Sequence, residues 1–387
     1  MILRAKAASL PALLVICCIL TAGCPLPESM LDVDLLPPPR GRGAATLDEM
    51  LKLPDDDIDV AKAALLISRD EDPGLDIDVY LGKIDALARR LHRRLPSRAG
   101  ATAIVEALND VLLTGAGVLP AEGEGFARFD LARVLDGKTG NCLATSVEYL
   151  AVGQRLGLPI EGVCVPGHYF VRLVAGRRSV NIELTRWGAT FPDSFYRRRF
   201  RISPRAISSR IYLAGDGARE LLAVLLANRS AVRSAAGKFA AAAADARKAL
   251  TLRPGFPQAS VNLGRALEGL GRRPEAHETY RAVLDVDPNS ADALNNLAAM
   301  YVAGRTGELY RPYEAVELIR RAVRLRPNVA AYHCTAAVVY ADVGRIDLSV
   351  GHMRHAVRIE PGSKLYREKL AGYRRSLLSP PEIEPAP

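Results

Sequence analysis

Four segments, ALTLRPGF, VLDVDPNS, AVRLRPNV and AVRIEPGS, place Pro254, Pro288, Pro327 and Pro361 at equivalent positions, spaced by 34, 39 and 34 residues. No other feature constrains the fold of this 387-residue chain as tightly. A short unit repeated at that period cannot bury an apolar face alone, so successive units must stack to share one core. Apolar residues follow helical spacing within each unit. Each closing proline ends a helix, because it lacks an N–H and clashes with the preceding turn. The longer third interval places its extra residues near Arg305–Pro312, in the turn between two helices. The stretch 362–378 reads as a terminal helix covering the last unit.

Leu263-Gly264 with Ala276 and Tyr280, Leu297 with Tyr301 and Ala315, and Tyr340 with Ala356 occupy matching places in successive units. Alanine suits positions where two helices cross closely. The pattern resembles the tetratricopeptide repeat, which implies an all-α solenoid over residues 216–378 with a protein or peptide ligand as partner. Asn228, Asn262 and Asn296 recur every 34 residues on the first helix of three units. That register often lines the concave face of such arrays, so these three are candidate binding residues. Asparagine is also frequent there without any ligand.

At the other end, MILRAKAASLPALLVICCILTAGC carries Arg4 and Lys6 ahead of an apolar stretch too short to span a bilayer. Residues 1–23 read as an export signal. The ending Leu20-Thr21-Ala22-Gly23-Cys24 resembles a bacterial lipobox, although Thr21 stands where Leu is usual. That resemblance implies lipidation of Cys24 and a membrane lipoprotein of the bacterial cell envelope, facing the periplasm or the surface. A plain secretory signal cut near Ala22 is the alternative. Residues 24–47, with Pro37 to Pro39, Gly41 and Gly43, read as an extended tether, and 379–387 as a frayed tail. The net charge of +9 would ordinarily point to nucleic acid, and removal of Arg4 and Lys6 lowers it to +7. An exported chain with 6% aromatic residues and one Trp offers no base-stacking surface, so no nucleic-acid partner is expected.

Residues 48–215 form the remaining domain. Helical spacing covers Asp59–Ser68, Ile77–Leu95 and Ile104–Leu113. Beyond them, Asn141 is a candidate N-cap, and Leu143, Val147, Leu150 and Ala151 predict an amphipathic helix that stops at Gly157 and Pro159. Cys142 then sits in a first turn, where free N–H groups and the helix dipole favour the reactive thiolate and can hold an oxyanion. Pro166-Gly167-His168 opens a strand, and a turn at Ala175–Arg178 leads to a second strand carrying Glu183. A loop at Ala175-Gly176 sets His168 directly opposite Glu183. One centred on Gly176-Arg177 makes them diagonal neighbours on the same face, and an intermediate centre separates them. A carboxylate beside an imidazole is the orienting half of a nucleophile–base–carboxylate triad.

The block G-N-C, the helix with Tyr149, R-L-G-L-P, P-G-H and N-I-E resembles the transglutaminase-like fold, in its SirB-type bacterial branch. The segment PDSFYRRRFRI and the appended repeats fit that branch as well. The resemblance implies an α+β, papain-like domain followed by the all-α solenoid. It also implies Cys142 as nucleophile, His168 as general base and acid, and Glu183 as third member, where Asp is usual in the wider superfamily. The activity implied is that of a cysteine amidohydrolase, protease or transamidase acting on peptide or side-chain amides, with no cofactor. Some members of the branch lack the cysteine, so a non-catalytic scaffold assembling envelope complexes is the rival reading. Cys164, on the strand before His168, reads as core, although a Cys142–Cys164 disulfide would block the nucleophile; Cys334 is the other remaining thiol.

No metal is expected. Asp55, Asp57 and Asp59 start like a calcium loop, but Val60 replaces the needed Gly and Leu66 the terminal Glu. His333, His352 and His355 lack a Cys or acidic ligand set. The run Arg197–Arg201 reads as a solvated face, with recognition of an acidic substrate beside the cleft as the alternative.

Overall fold

The computed structural model describes residues 30–113, 130–137, 140–304 and 307–378. The export signal 1–23, Cys24 and the tail 379–387 lie outside the described residues. Asp59 and Asp76 cap the helices Val60–Arg69 and Ile77–His92 by accepting first-turn N–H groups, and Ala101–Leu112 follows. All three match the apolar spacing. The next long helix, Cys142–Arg155, departs from it. Ser146, Glu148 and Arg155 are buried along with its apolar residues. The helix runs between the helices Val60–Arg69 and Ile77–His92 on one side and a sheet on the other, so it has no solvent face.

Residues 30–47 are not a free tether. Strand β1 (Met30–Asp32) pairs antiparallel with β2 (Arg98–Gly100), Val33 is fully buried, and Leu36 N–H donates to Arg155 O. A side chain on Gly41 would lie 2.4 Å from Met50 Sδ and 2.7 Å from Asp57 O. Val33 finds a buried place while Met30, Leu35 and Leu36 stay exposed, so strand pairing, one apolar anchor and the close approach at Gly41 hold the stretch, which composition alone does not show.

The sheet beneath the central helix contains β3 (Ile160–Val165), β4 (His168–Ala175), β5 (Arg178–Glu183), β6 (Ala189–Thr190) and β7 (Gly215–Asp216). Its order is β6-β5-β4-β3-β7, antiparallel throughout. Pro166 and Gly167, the latter at φ +72°, make the two-residue turn from β3 to β4. Ala175 pairs with Arg178, so Gly176-Arg177 is the loop of the next hairpin, with Gly176 at φ +62°.

From Ala218 to Leu378 the described residues form a succession of helices. Antiparallel pairs Ala218–Ala235 with Phe239–Leu252, Pro257–Gly269 with Arg273–Val286, Ala291–Val302 with Pro312–Leu325, and Ala330–Asp342 with Ile346–Ile359 stack in order, and Lys364–Leu378 packs on the last. The fold is therefore an α+β region with a five-stranded antiparallel sheet, followed by a stacked helical array. The two regions share one core. Leu221, Leu222, Leu225 and Phe256 of the array belong to the same buried cluster as Tyr149, Phe170 and Val163.

Candidate active site

Cys142 is the first residue of its helix. Asn141 Oδ1 accepts the N–H groups of Leu143 and Ala144, each at 3.0 Å, and Asn141 O accepts that of Thr145. The Cys142 N–H has no acceptor among the described residues, so one first-turn donor remains beside the thiol. A free donor there is what an attacked carbonyl requires.

His168 begins β4. The loop at Gly176-Arg177 makes Glu183 its diagonal neighbour, the second of the registers allowed by the sequence, and His168 Nε2 lies 2.8 Å from Glu183 Oε2. The other carboxylate oxygen accepts from Thr185 N–H at 3.1 Å and Thr185 Oγ1 at 2.5 Å. With Nε2 taken by the carboxylate, Nδ1 is left for the Cys142 thiol. Burial pulls the imidazole pKa down, but the hydrogen bonds and charges of Cys142 and Glu183 outweigh it and lift it to about 9. For Glu183, burial alone would raise the carboxyl. The bonds from His168 and Thr185 prevail and hold it below the ordinary carboxylate range.

The rings behind His168 were not legible as part of the site. Phe200 stacks on the imidazole at 5.6 Å with an interplanar angle of 11°, and Phe170 lies beyond, itself stacked on Tyr196 at 4.0 Å. Tyr196 and Phe200 come from the segment around the helix Asp193–Arg199. A polar lattice built on the buried Arg172 and Asn181 docks that segment on the hairpin. Arg172 donates to Asn181 Oδ1 at 2.7 Å and Asp193 Oδ1 at 2.9 Å, and Asn181 donates to Asp193 Oδ1 at 2.8 Å. The alternation that put Arg172 and Asn181 on the faces of His168 and Glu183 was the available signal. The partner Asp193 was not.

A cavity of about 150 Å³ opens over Cys142 and His168. Cys164 lines it as a free thiol, as Cys142 also is, and burial pushes the Cys164 thiol up to about 12, which keeps it protonated. The three repeat asparagines have different surroundings. Asn228 lines the cavity and donates to Val224 O at 2.8 Å. Asn262 is 2% exposed and donates to Ala227 O of the preceding unit at 2.6 Å. Asn296 lies half-buried beside Asn295 and Tyr280. Among the described residues no group of three or more His, Cys, Asp and Glu side chains could hold a metal ion, and no helix is long and apolar enough to cross a membrane.

Residues 78–207 match the transglutaminase-like superfamily, and residues 234–301 match the tetratricopeptide repeat. Over 245 residues, covering 61% of this chain and 86% of its own length, a UPF0162 protein of Xylella fastidiosa (strain 9a5c) is 26% identical. The solved structure of a thermophilic TPR protein in Thermus thermophilus is 25% identical, with a TM-score of 0.37, over 40% of this chain and 82% of its own. The chain thus joins a transglutaminase-like core domain to a run of tetratricopeptide repeats.

Proposed function

We propose that this protein is a cysteine acyltransferase or amidohydrolase of the bacterial cell envelope. It would be held to a membrane through a lipid on Cys24 and receive protein substrates by way of its repeats. The observation that carries the reading is His168, bonded to Glu183 through Nε2 at 2.8 Å while its other face serves the Cys142 thiol at a helix N-terminus. In that arrangement His168 can take the proton of the Cys142 thiol, which yields a thiolate to attack and an imidazolium to protonate the leaving group.

Cys142 Sγ attacks the amide carbonyl, and the oxygen takes up the negative charge beside the Cys142 N–H. His168 gives its proton to the departing amine, the C–N bond breaks, and a thioester remains on Cys142. Neutral His168 then takes a proton from the incoming water or amine as it attacks the thioester, which releases the acid or the new amide. Glu183 holds the imidazole in orientation and stabilises its charged form throughout.

The test is adduct formation between the mature protein and a thiol-directed amide electrophile, read by mass. An adduct lost in Cys142→Ala and slowed in His168→Ala supports the reading. A Cys142 no more reactive than free cysteine, and indifferent to His168→Ala, leaves the scaffold as the function. Palmitate labelling that depends on Cys24 tests the anchor.

A further inference from the structure

The cavity over Cys142 is not enclosed by the transglutaminase-like domain alone. Its far wall is Val224 and Asn228 from the first repeat and Phe256 and Gln258 from the start of the second. The carboxamides on that wall have bonding capacity to spare. The Gln258 side chain is half-buried and makes no hydrogen bond among the described residues, and Asn228 uses its side-chain N–H on Val224 O, leaving Oδ1 open. An amide with free donor and acceptor groups beside a reacting centre matches the alternating N–H and C=O of an extended backbone.

A second, smaller cavity of about 30 Å³ lies beside it, shares Pro166, Gly167, Tyr212 and Gln258 with the first, and is lined further along the array by Asp292 and Arg326. Arg326 lies over the turn before His168, its guanidinium 3.7 Å from where a side chain on Gly167 would sit. It pairs with Asp292 at 3.3 Å, both side chains being 44% exposed, so two opposite charges border the far end.

The wall is held in place by the core. Asp55 accepts the first N–H groups of the array, from Ala218 at 3.0 Å and Arg219 at 2.9 Å. Arg229 donates to Asp70 and to Ile67 O, and Arg253 donates to Asp216 and Ile211 O. Tyr212 donates to Asp287 Oδ2 at 3.2 Å. Distances across the cleft are therefore set before a substrate arrives, which is the condition for productive positioning.

We propose that the first repeats are a wall of the active site and that its acyl donor is an extended polypeptide. Asn228 and Gln258 act as positioning residues that hold the donor's backbone, and the chain runs from Cys142 across Pro166-Gly167 towards Asp292 and Arg326. This rests on the Cys142 chemistry proposed above. It adds that substrate selection is by polypeptide length, and that the repeats read the same chain that is cut or transferred.

The experiment uses the mature full-length protein and peptidyl electrophiles carrying from zero to five residues on either side of the reacting carbon. Adduct formation on Cys142 is followed at a series of concentrations. The expected result is that the second-order rate rises at least about tenfold with length on one side, the worth of one or two hydrogen bonds. That long-to-short ratio should fall towards one in the double variant Asn228→Ala, Gln258→Ala, with the loss in the half-saturating concentration rather than in the limiting rate. Taking the ratio within each variant removes any general loss of folded protein. Adducts at equal rates for all lengths, or an undiminished ratio in the double variant, overturn the proposal while leaving the nucleophile in place. Failure of every electrophile to label Cys142 overturns both readings.

Discussion

Arg253, at the end of the first repeat, donates to Asp216 on the edge strand β7 at 2.9 Å, and both side chains are buried. This pair lies at the junction of the two regions. Burial raises the Asp216 carboxyl, Arg253 lowers it, and the balance stands at about 6. Replacing Arg253 with Met leaves a buried carboxylate without its cation, a change that costs about 3–5 kcal/mol. The cost depends on pH. Because the folded pKa of Asp216 is above the ordinary carboxylate value, the stability of its protonated form is present at low pH and is lost as pH rises through about 6. Without Arg253 that midpoint moves higher still. Urea unfolding should show a small defect for Arg253→Met at pH 5 and the full defect at pH 8.

Glu183 contributes one oxygen to His168 and commits the other to Thr185. Glu183→Gln keeps the shape but removes the charge that holds the imidazolium. The expected loss in the rate of Cys142 acylation is about 10²–10⁴-fold, the span seen when a base or its orienting group is disabled. Circular dichroism should remain that of the parent. Parent-like rates in this variant would remove Glu183 from the chemistry.

The His168 imidazole is lifted to about 9, against the pull of burial, by Cys142 and Glu183. Those favourable interactions are fully present below its ordinary value and are lost as pH rises through about 9. Acylation should therefore hold through neutral pH and decline on an alkaline limb near 9. In Glu183→Gln, with one supporting charge gone, that limb should move down the pH scale. A pH series of electrophile labelling measures both.

Phe200 covers the imidazole with a parallel ring 5.6 Å away. Phe200→Ala exposes His168 to water and removes a stacking contact worth about 0.5–1.5 kcal/mol. The labelling rate should fall by up to about tenfold, and Phe200→Tyr, which keeps the ring, should restore it.

Gly41 tests how residues 30–47 are held. A methyl at that position would meet Asp57 O at 2.7 Å and Asp59 N at 2.8 Å, backbone atoms that cannot swing aside. Gly41→Ala should cost about 1–3 kcal/mol in unfolding free energy. An unaltered midpoint would mean that this stretch is free of the domain.

Local pattern made much of this protein legible. The phase of Pro254, Pro288, Pro327 and Pro361 fixed where helices end, because a proline's effect is confined to its own turn. Asn141 before Cys142 identified a helix start, and alternation along β4 and β5 placed His168 and Glu183 on faces that can meet. Each of these depends on residues close in sequence. Tertiary packing decided the rest. The hairpin loop settled at Gly176-Arg177, Met30–Asp32, Val33 and Gly41 docked on the domain, and Phe200 came to rest on His168. Above all, Asn228 and Gln258 entered the cleft of Cys142 because Leu221, Leu225 and Phe256 are buried in the same core as Tyr149 and Phe170. Periodicity states which face of a helix is apolar, but not which distant apolar face will cover it. That choice is made by the whole set of buried surfaces together, and it decided which residues surround the thiol.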